Sequence, residues 1–248
     1  MSGHSKWATI KHKKAATDAK RGRVFTRLIR EISMAARGGT DPTTNARLRT
    51  AVASAKAENM PGDNIERAIL RGSGQMEGAQ LEEITFEGYG PGGVALLVQV
   101  VTDARNRTVS EIRHAFSKNG GNMAEAGAVG WMFERKGEVI VPKEQASEDK
   151  IMGIVLDAGA EDLKDDGSSW DVVTPPDAFE AVREAIVKAG MTPASAELGM
   201  VPKSYIKLTG NQAGQMIRLV EALEDQDDVQ HVYANFDIDE KELQAVAG

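Results

Sequence analysis

Residues 94–102, with the sequence VALLVQVVT, are almost continuously apolar and rich in valine. A run of this length and composition predicts a β-strand that is buried on both of its faces. A second strand is predicted just before it, from Ile84 to Glu87. The glycine-rich segment 88–93 between the two predicts a tight strand connection. This part of the chain therefore predicts the start of a β-sheet.

A helix and another strand are predicted after this strand pair. Thr108 and Glu111 have the spacing of a capping box, which predicts a helix that starts at Thr108. The glycines at positions 120 and 121 predict its end, because glycine adopts the left-handed conformation that closes a helix. Residues 129–133 then predict a further strand.

Residues 137–201 contain a complete β-α-β-β-α-β pattern, which is the order of a ferredoxin-like fold. Residues 212–236 add one more helix and strand, which would complete the β-α-β arrangement begun at residues 84–133. This order predicts a ferredoxin-like domain inserted into another α/β domain. The predicted elements of residues 137–201 are strand 138–141, helix 147–158, strands near Leu163 and at 170–173, helix 177–189 and strand 196–200.

The first 78 residues show helical spacing only. Helices are predicted over residues 21–37 and 44–58, and Asp63 is predicted to cap a third, with Glu66 as its capping-box partner. Residues 72–74 indicate a linker to the rest of the chain. The fold class predicted is α+β multidomain, with an N-terminal three-helix domain plus two α/β domains, one ferredoxin-like and inserted in the other. The predicted boundaries are residues 1–78 for the basic helical domain, 79–135 with 203–248 for the first α/β domain, and 136–202 for the inserted domain.

Charge is divided unevenly along the chain, whose net charge is −7. Residues 1–80 contain 15 Lys and Arg against 7 Asp and Glu, whereas residues 81–248 contain 15 against 30. Within residues 1–37, ten basic residues are opposed only by Asp18 and Glu31. This asymmetry indicates a polyanionic partner for the basic end, oriented by repulsion from the acidic remainder. The alternative is a solvated basic helix without a partner.

Basic, imidazole and indole side chains near the N-terminus are the candidate nucleic-acid contacts. His4 and His12 would contact phosphate or bases, while Trp7 would stack on a base or anchor the segment to the body of the protein. Arg105 and Arg107 precede a predicted helix start, where amides and guanidinium groups favour a phosphate; solvated arginines are the alternative. The complete candidate set is His4, Lys6, Trp7, Lys11, His12, Lys13, Lys14, Lys20, Arg21, Arg23, Arg27, Arg30, Arg105 and Arg107.

Composition and motif spacing exclude several kinds of chemistry. The chain contains no cysteine, which rules out disulfides, zinc–thiolate sites, iron–sulfur clusters and thiol catalysis. Residues 88–93 match G-x-G-x-x-G, but a strand follows and Pro91 lacks an amide hydrogen, so no dinucleotide site is expected. The four histidines lack metal-ligand spacing. We expect no catalytic residues, no metal and no cofactor.

Acidic residues at positions 221–228 are the remaining candidate for metal chemistry. Their pattern favours a solvated helix end and turn over a two-metal nuclease site. The chain has no run of 18 apolar residues and no apolar N-terminal segment, so we expect a soluble, cytoplasmic protein without a membrane partner.

Short sequence blocks in a fixed order resemble the YebC/PmpR family. The blocks are distributed over nearly the whole chain. They include Gly3-His4-Ser5-Lys6-Trp7, Asp18-Ala19-Lys20-Arg21-Gly22, Arg105-Asn106-Arg107-Thr108, His114-Ala115-Phe116-Ser117-Lys118 and Asp227-Asp228-Val229.

The resemblance implies a three-domain cytoplasmic protein without enzymatic activity. Members are described as transcriptional regulators that bind promoter DNA, while others, including the mitochondrial translational activator of cytochrome c oxidase, act on the ribosome. Both partners are polyphosphates, so the residues do not choose between promoter DNA and ribosomal RNA. We expect a non-catalytic nucleic-acid-binding regulator of gene expression, first as a DNA-binding transcriptional regulator and alternatively as a ribosome-associated translation factor. A protein-assembly factor and a metal-dependent nuclease are remoter alternatives.

Overall fold

The computed structural model describes residues 18–239 and 242–243, with side chains from residue 22 onwards. Numbered in chain order, the helices are α1 (Asp18–Ala36), α2 (Ala46–Ala57), α3 (Gly62–Gly72), α4 (Arg105–Lys118), α5 (Glu148–Asp157), α6 (Phe179–Lys188) and α7 (Gly210–Glu224). The strands are β1 (Glu82–Tyr89), β2 (Ala95–Thr102), β3 (Asn122–Ala124), β4 (Phe133–Pro142), β5 (Asp162–Asp165), β6 (Ser169–Thr174), β7 (Ser195–Pro202), β8 (Ile206–Lys207), β9 (Val229–Ala234) and β10 (Phe236–Asp237).

Helices α1, α2 and α3 pack around a small apolar core. Ile32 of α1 and Leu48 of α2 are fully buried there, and Ala68 of α3 is 1% exposed. The Ser33 hydroxyl donates a hydrogen bond to the carbonyl oxygen of Ala68 at 3.0 Å, which ties α1 to α3. Three helices are therefore present in this region, as predicted.

The predicted capping box at the start of α3 is wrong. The helix begins at Gly62, and Pro61 occupies the N-cap position without a side-chain hydrogen bond. Asp63 thus lies inside the first turn, where its negative charge still favours the helix N-terminus. The N-cap is therefore Pro61, two residues earlier than the capping-box spacing indicates.

Strand β2 is the centre of the first sheet, whose order is β3-β1-β2-β9. Leu96, Val98 and Val100 are fully buried in a core that they share with residues of α4 and α7. Ala95 and Leu97 face the opposite side and pack against a second cluster that includes Phe133. The prediction that residues 94–102 are buried on both faces is confirmed. The tight connection over residues 88–93 is also present, since β1 and β2 pair up to the register Tyr89↔Ala95.

The second sheet is antiparallel throughout and has the order β5-β6-β4-β7. Helices α5 and α6 pack on one face of it through a core that includes Val139, Ile151 and Val182. The chain order of these elements is β-α-β-β-α-β, so the sheet is ferredoxin-like. After it, α7 and β9 return to the first sheet, where β9 pairs with β2. The residue boundaries of the domains stay predictions.

The strand predicted over residues 129–133 is wrong. Residues Gly130–Met132 form a 3-10 turn, and the strand that follows is β4, which belongs to the second sheet. The backbone amides of Gly127, Val129 and Gly130 donate to the carboxylate of Glu87 at 2.6 to 2.8 Å, so they are not available for a sheet ladder. Burial favours the neutral form of Glu87, but these three amides outweigh it and hold its pKa below the usual range.

Candidate nucleic-acid interface

The predicted contact residues fall into two groups according to their position. Lys20 and Arg21 lie in the first turn of α1, and their side chains are outside the described atoms. Arg23, Arg27, Arg30, Arg105 and Arg107 are fully described. The remaining candidates lie outside the described residues: His4, Lys6, Trp7, Lys11, His12, Lys13 and Lys14.

Helix α1 directs arginines toward the acidic segment 224–228 that ends α7 and precedes β9. Arg23 Nη1 lies 3.0 Å from Asp225 Oδ1, and both side chains are partly exposed. Two turns further on, Arg30 Nη1 lies 2.7 Å from Asp228 Oδ1, where the Asp228 side chain is only 3% exposed. The spacing of seven residues places both arginines on one face of α1. The acidic segment is therefore a partner of α1. The solvated turn that its composition indicates is present at the exposed Asp225 and Asp227, but not at the buried Asp228.

Arg27 lies between these two arginines on the same side of the helix. Its Nε is buried and has no hydrogen-bond partner. Burial lowers the pKa of its guanidinium group, and the negative charges of Glu224 and Asp225 oppose that shift. The acidic segment thus stabilises the positive charge of Arg27 through space.

Asp228 is the most buried carboxylate of the acidic segment 224–228. Besides Arg30, it accepts hydrogen bonds from Arg107 at 3.0 Å and from the hydroxyls of Thr102 and Thr108. Burial would raise the pKa of Asp228, but the bonds from Thr108 and Arg107 outweigh it and hold the pKa below its usual value. One buried charge therefore connects α1, β2 and α4.

The structure places Arg105 and Arg107 inside the first turn of α4 and not before it. The predicted capping box at Thr108 is wrong, because the helix begins at Arg105 after an N-cap at Ala104. The hydroxyl of Thr108 bonds to Asp228 instead of capping the helix. Arg105 pairs with Glu82 at 3.4 Å, and Arg107 pairs with both Asp103 and Asp228. Both predicted phosphate contacts thus have partners within the chain.

A cleft of about 890 Å³ lies where α1 and α2 meet the two sheets. Its lining includes Arg27, Gln99 and Tyr233. On one wall, Arg47 of α2 donates to Glu31 of α1 and to Glu83 of β1, with distances of 2.8 to 3.1 Å. The hydrogen bonds with Glu31 are the largest contribution that raises the pKa of Arg47. Neither the cleft nor this bridge is predictable from local sequence patterns.

The part of the chain that the structure describes holds neither a cluster of metal ligands nor a membrane-spanning helix. No three His, Asp or Glu side chains converge there in a way that would hold a metal ion. No described helix combines the length and the apolar character needed to cross a membrane.

These features define an α+β protein with a helical domain and two sheet domains, in which arginines of α1 pair with the acidic segment 224–228. The chain belongs to the TACO1/YebC family. Residues 5–75 match the family region described as "TACO1/YebC protein N-terminal domain". Residues 81–236 match the region described as "TACO1/YebC second and third domain". The resemblance seen in the sequence is therefore confirmed.

Similar proteins extend over the full length of the chain. A probable transcriptional regulatory protein of Koribacter versatilis is 66% identical over 248 residues, covering 100% of both chains. One of Geobacter sulfurreducens is 56% identical, covering 98% of this chain and 99% of its own. The crystal structure of a conserved hypothetical protein of Aquifex aeolicus has 46% identity and a TM-score of 0.79, with 90% and 92% of the two chains covered. The predicted fold class is thus confirmed, and the relatives bear names of transcriptional regulators.

Proposed function

We propose that this protein is a non-catalytic, DNA-binding regulator of gene expression whose N-terminal basic residues contact the phosphate backbone. One observation carries the proposal: residues 1–21 contain six Lys and Arg and two His, with Asp18 as the single acidic residue. Clustered Lys and Arg bind DNA by releasing its condensed counterions. The names of the relatives, as probable transcriptional regulatory proteins, support the same class of function.

The remainder of the chain would restrict how a nucleic acid approaches. Residues 81–248 have a net charge of −15, which repels a polyanion. The acidic segment 224–228 already neutralises arginines of α1. A nucleic acid is therefore attracted to the start of α1 and to the residues before it, and repelled from most other surfaces.

The ion pairs within the chain show which of the predicted phosphate contacts already have a carboxylate partner. Arg23, Arg30 and Arg107 would have to give up a carboxylate to bind a phosphate. We propose that the primary phosphate contacts are the basic residues that precede them, and that Trp7 with His4 and His12 contributes base contacts. The primary phosphate contacts are Lys6, Lys11, Lys13, Lys14, Lys20 and Arg21.

Charge reversal in the N-terminal segment tests the proposal. The double variant Lys13→Glu with Lys14→Glu should lose at least about tenfold in affinity for a DNA duplex at low salt, since two phosphate contacts become repulsive. Mobility shifts would measure the loss. The matched control is Lys150→Glu with Lys203→Glu, which reverses two exposed lysines elsewhere and changes the net charge equally. Equal binding by both variants would overturn the assignment of the segment.

Crosslinking in cells identifies the nucleic acid. After ultraviolet irradiation, the DNA and RNA attached to the protein would be sequenced. The proposal expects reads concentrated at a few promoters, together with tighter binding to those duplexes than to random duplex. Reads concentrated on ribosomal RNA would replace the DNA proposal with a translation factor. An absence of crosslinks to either would contradict nucleic-acid binding.

A further inference from the structure

The exposed face formed by α4 and α7 is a cationic surface within the acidic part of the chain. Helix α4 contains a single acidic residue, Glu111, and the acidic residues of α7 are confined to its last turn. We define the α4–α7 surface as Arg113, His114, Ser117, Lys118, Gln215 and Arg218. All of them are exposed except Gln215, which is half-buried.

The two helices lie side by side and antiparallel over the first sheet. At the start of α4, Thr108 bonds to Asp228, which follows α7. After the end of α4, Gly120 lies beside the middle of α7, where an added Cβ would be 3.9 Å from Gln215 Nε2. Phe116 and Leu219 are buried in the core beneath. This arrangement brings the last turn of α4 next to the first half of α7, away from the acidic segment.

The basic side chains of the α4–α7 surface differ in their ion pairing from Arg105 and Arg107 at the start of α4. Arg105 and Arg107 are held by carboxylates of the same chain. Among the residues that the structure describes, Arg113, Lys118 and Arg218 form no ion pair. Their charges are therefore uncompensated, although the surrounding segment carries an excess of negative charge.

We propose that the α4–α7 surface is a second contact for the phosphate backbone of the bound nucleic acid. The inference rests on the proposed function and extends it to a site outside the basic N-terminal segment. Guanidinium groups form paired hydrogen bonds with phosphate, and lysine adds a point charge. Hydroxyl, amide and imidazole groups, here Ser117, Gln215 and His114, also bond to phosphate oxygens. Charge complementarity thus selects a polyphosphate as the occupant.

The start of α1 and the α4–α7 surface lie toward opposite ends of α7. Arg23 contacts Asp225 just after α7, so the start of α1 lies at that end of the helix pair. The 15 residues of α7 extend about 22 Å. One turn of duplex is about 34 Å long, which is sufficient to lie along α7 and reach the start of α1. A single duplex can therefore contact both surfaces.

The chain provides a closely matched pair of variants for the test. Arg113→Glu with Lys118→Glu reverses the charges of an arginine and a lysine that lie five residues apart on α4 and are both exposed. Arg183→Glu with Lys188→Glu does the same on α6, where Arg183 is half-buried and Lys188 is exposed. These two residues pair only with Glu180 and Glu184 of their own helix. Both double variants change the net charge by the same amount, so a general charge effect is equal in the two.

Fluorescence anisotropy with a labelled 20-base-pair DNA duplex, between 50 and 300 mM NaCl, is the measurement. The α4 variant should lose about tenfold or more in affinity relative to the α6 variant. Its slope of log affinity against log salt should be shallower by about 1.8, since each phosphate contact contributes about 0.9. Equal affinities and slopes for the two variants would overturn the inference. Circular dichroism checks folding, and Arg113→Gln with Lys118→Gln replaces the reversal if that variant unfolds.

The outcome separates this inference from the proposed function. If the unmodified protein fails to bind the duplex at 50 mM NaCl, the proposed function and this inference both fail. If Lys13→Glu with Lys14→Glu weakens binding and the α4 variant behaves like the α6 control, only the α4–α7 surface is wrong. If both the N-terminal and the α4 variants weaken binding, both contacts stand.

Discussion

Asp228 differs from its exposed acidic neighbours Asp225 and Asp227 because its side chain is buried. Its carboxylate faces two guanidinium groups, of Arg30 and Arg107, and two hydroxyl groups. A buried carboxylate is stable only when such partners replace its lost hydration. The residue thus serves to hold α1 against the first sheet.

Removing the charge of Asp228 should destabilise the protein. Asp228→Asn leaves two arginines without their carboxylate, so the free energy of unfolding should fall by about 3 kcal/mol. Urea unfolding followed by circular dichroism measures the change. The control is Asp225→Asn, whose side chain is 61% exposed and pairs with Arg23. That variant should lose less than about 1 kcal/mol, as exposed ion pairs do. Similar losses in both variants would contradict the role of burial.

Asp171 on β6 is a buried carboxylate whose pKa is shifted in the opposite direction from that of Asp228. The residue is 3% exposed, and its Oδ1 has no hydrogen-bond partner. Burial raises its pKa to about 6, although the positive charge of Lys164 opposes the shift. The folded state therefore binds this proton more tightly than the unfolded state does. Stability from this group is complete below pH 4 and is lost as the pH rises through 6.

Asp171→Asn should therefore stabilise the protein at high pH only. Asparagine resembles the protonated acid and cannot ionise, so the variant avoids the cost of a buried charge. We expect the free energy of unfolding to rise by on the order of 2 kcal/mol at pH 8 and to stay nearly unchanged at pH 4. Urea unfolding of both proteins at the two pH values isolates this group from the others. A gain of equal size at pH 4 would show that ionisation is not its cause.

The sequence shows which candidate contact residues are charged, but not which carboxylates they pair with. The basic residues of α1 and the acidic residues at 224–228 are both visible in the sequence, about 200 residues apart. Nothing local indicates that Arg23 and Arg30 face this particular acidic segment, because the pairing depends on how α7 and α1 meet in the fold. The complementary charge of the two segments was the available signal.

At the scale of elements, α3 crosses α1 at a point where no side chain fits. A Cβ added to Gly72 would lie 2.1 Å from the carbonyl oxygen of Ser33, on the backbone of α1. A backbone cannot yield as a flexible side chain can, so the two helices would have to separate. The close contact explains why the helix ends in glycine here.

Gly72→Ala should destabilise the helical domain by about 3 kcal/mol, the upper range for overpacking. The matched control is Gly62→Ala in the first turn of the same helix, where no atom lies within 4 Å of the added Cβ. That change should be neutral or stabilise by about 0.5 kcal/mol, because alanine favours the helix. Hydrogen exchange of the α1 and α3 amides measures the change in stability that each substitution causes. Comparable exchange in the two variants would show that the crossing tolerates a methyl group.

Long apolar patterns predicted elements well, whereas short polar motifs did not. The run at residues 94–102 is β2, and the β-α-β-β-α-β order of the second sheet follows the sequence. The capping-box motifs at Asp63 and Thr108 failed, because Pro61 and a long-range bond to Asp228 set the local structure instead. Strand β3 has three residues, too few for an alternating pattern, and was not predicted.

In the whole molecule, ion pairs of different burial attach the helical domain to the first sheet. Arg47 with Glu83 and Arg23 with Asp225 are substantially exposed. Arg30 with Asp228 is largely buried. Salt screens exposed charges effectively and buried charges much less. The attachment of the domain should therefore depend on one buried pair when the ionic strength is high.

Small-angle X-ray scattering at 0.1 and 1 M NaCl tests this attachment. The unmodified protein should keep its radius of gyration, because Arg30 and Asp228 remain paired when the exposed pairs are screened. Asp228→Asn should keep it at 0.1 M and expand at 1 M, as the helical domain separates from the first sheet while circular dichroism still shows folded helices. Asp225→Asn, which lacks only an exposed pair, should behave like the unmodified protein. Expansion of the unmodified protein at 1 M would show instead that exposed ion pairs hold the domains together, and that nucleic-acid phosphates can compete for all the arginines of α1.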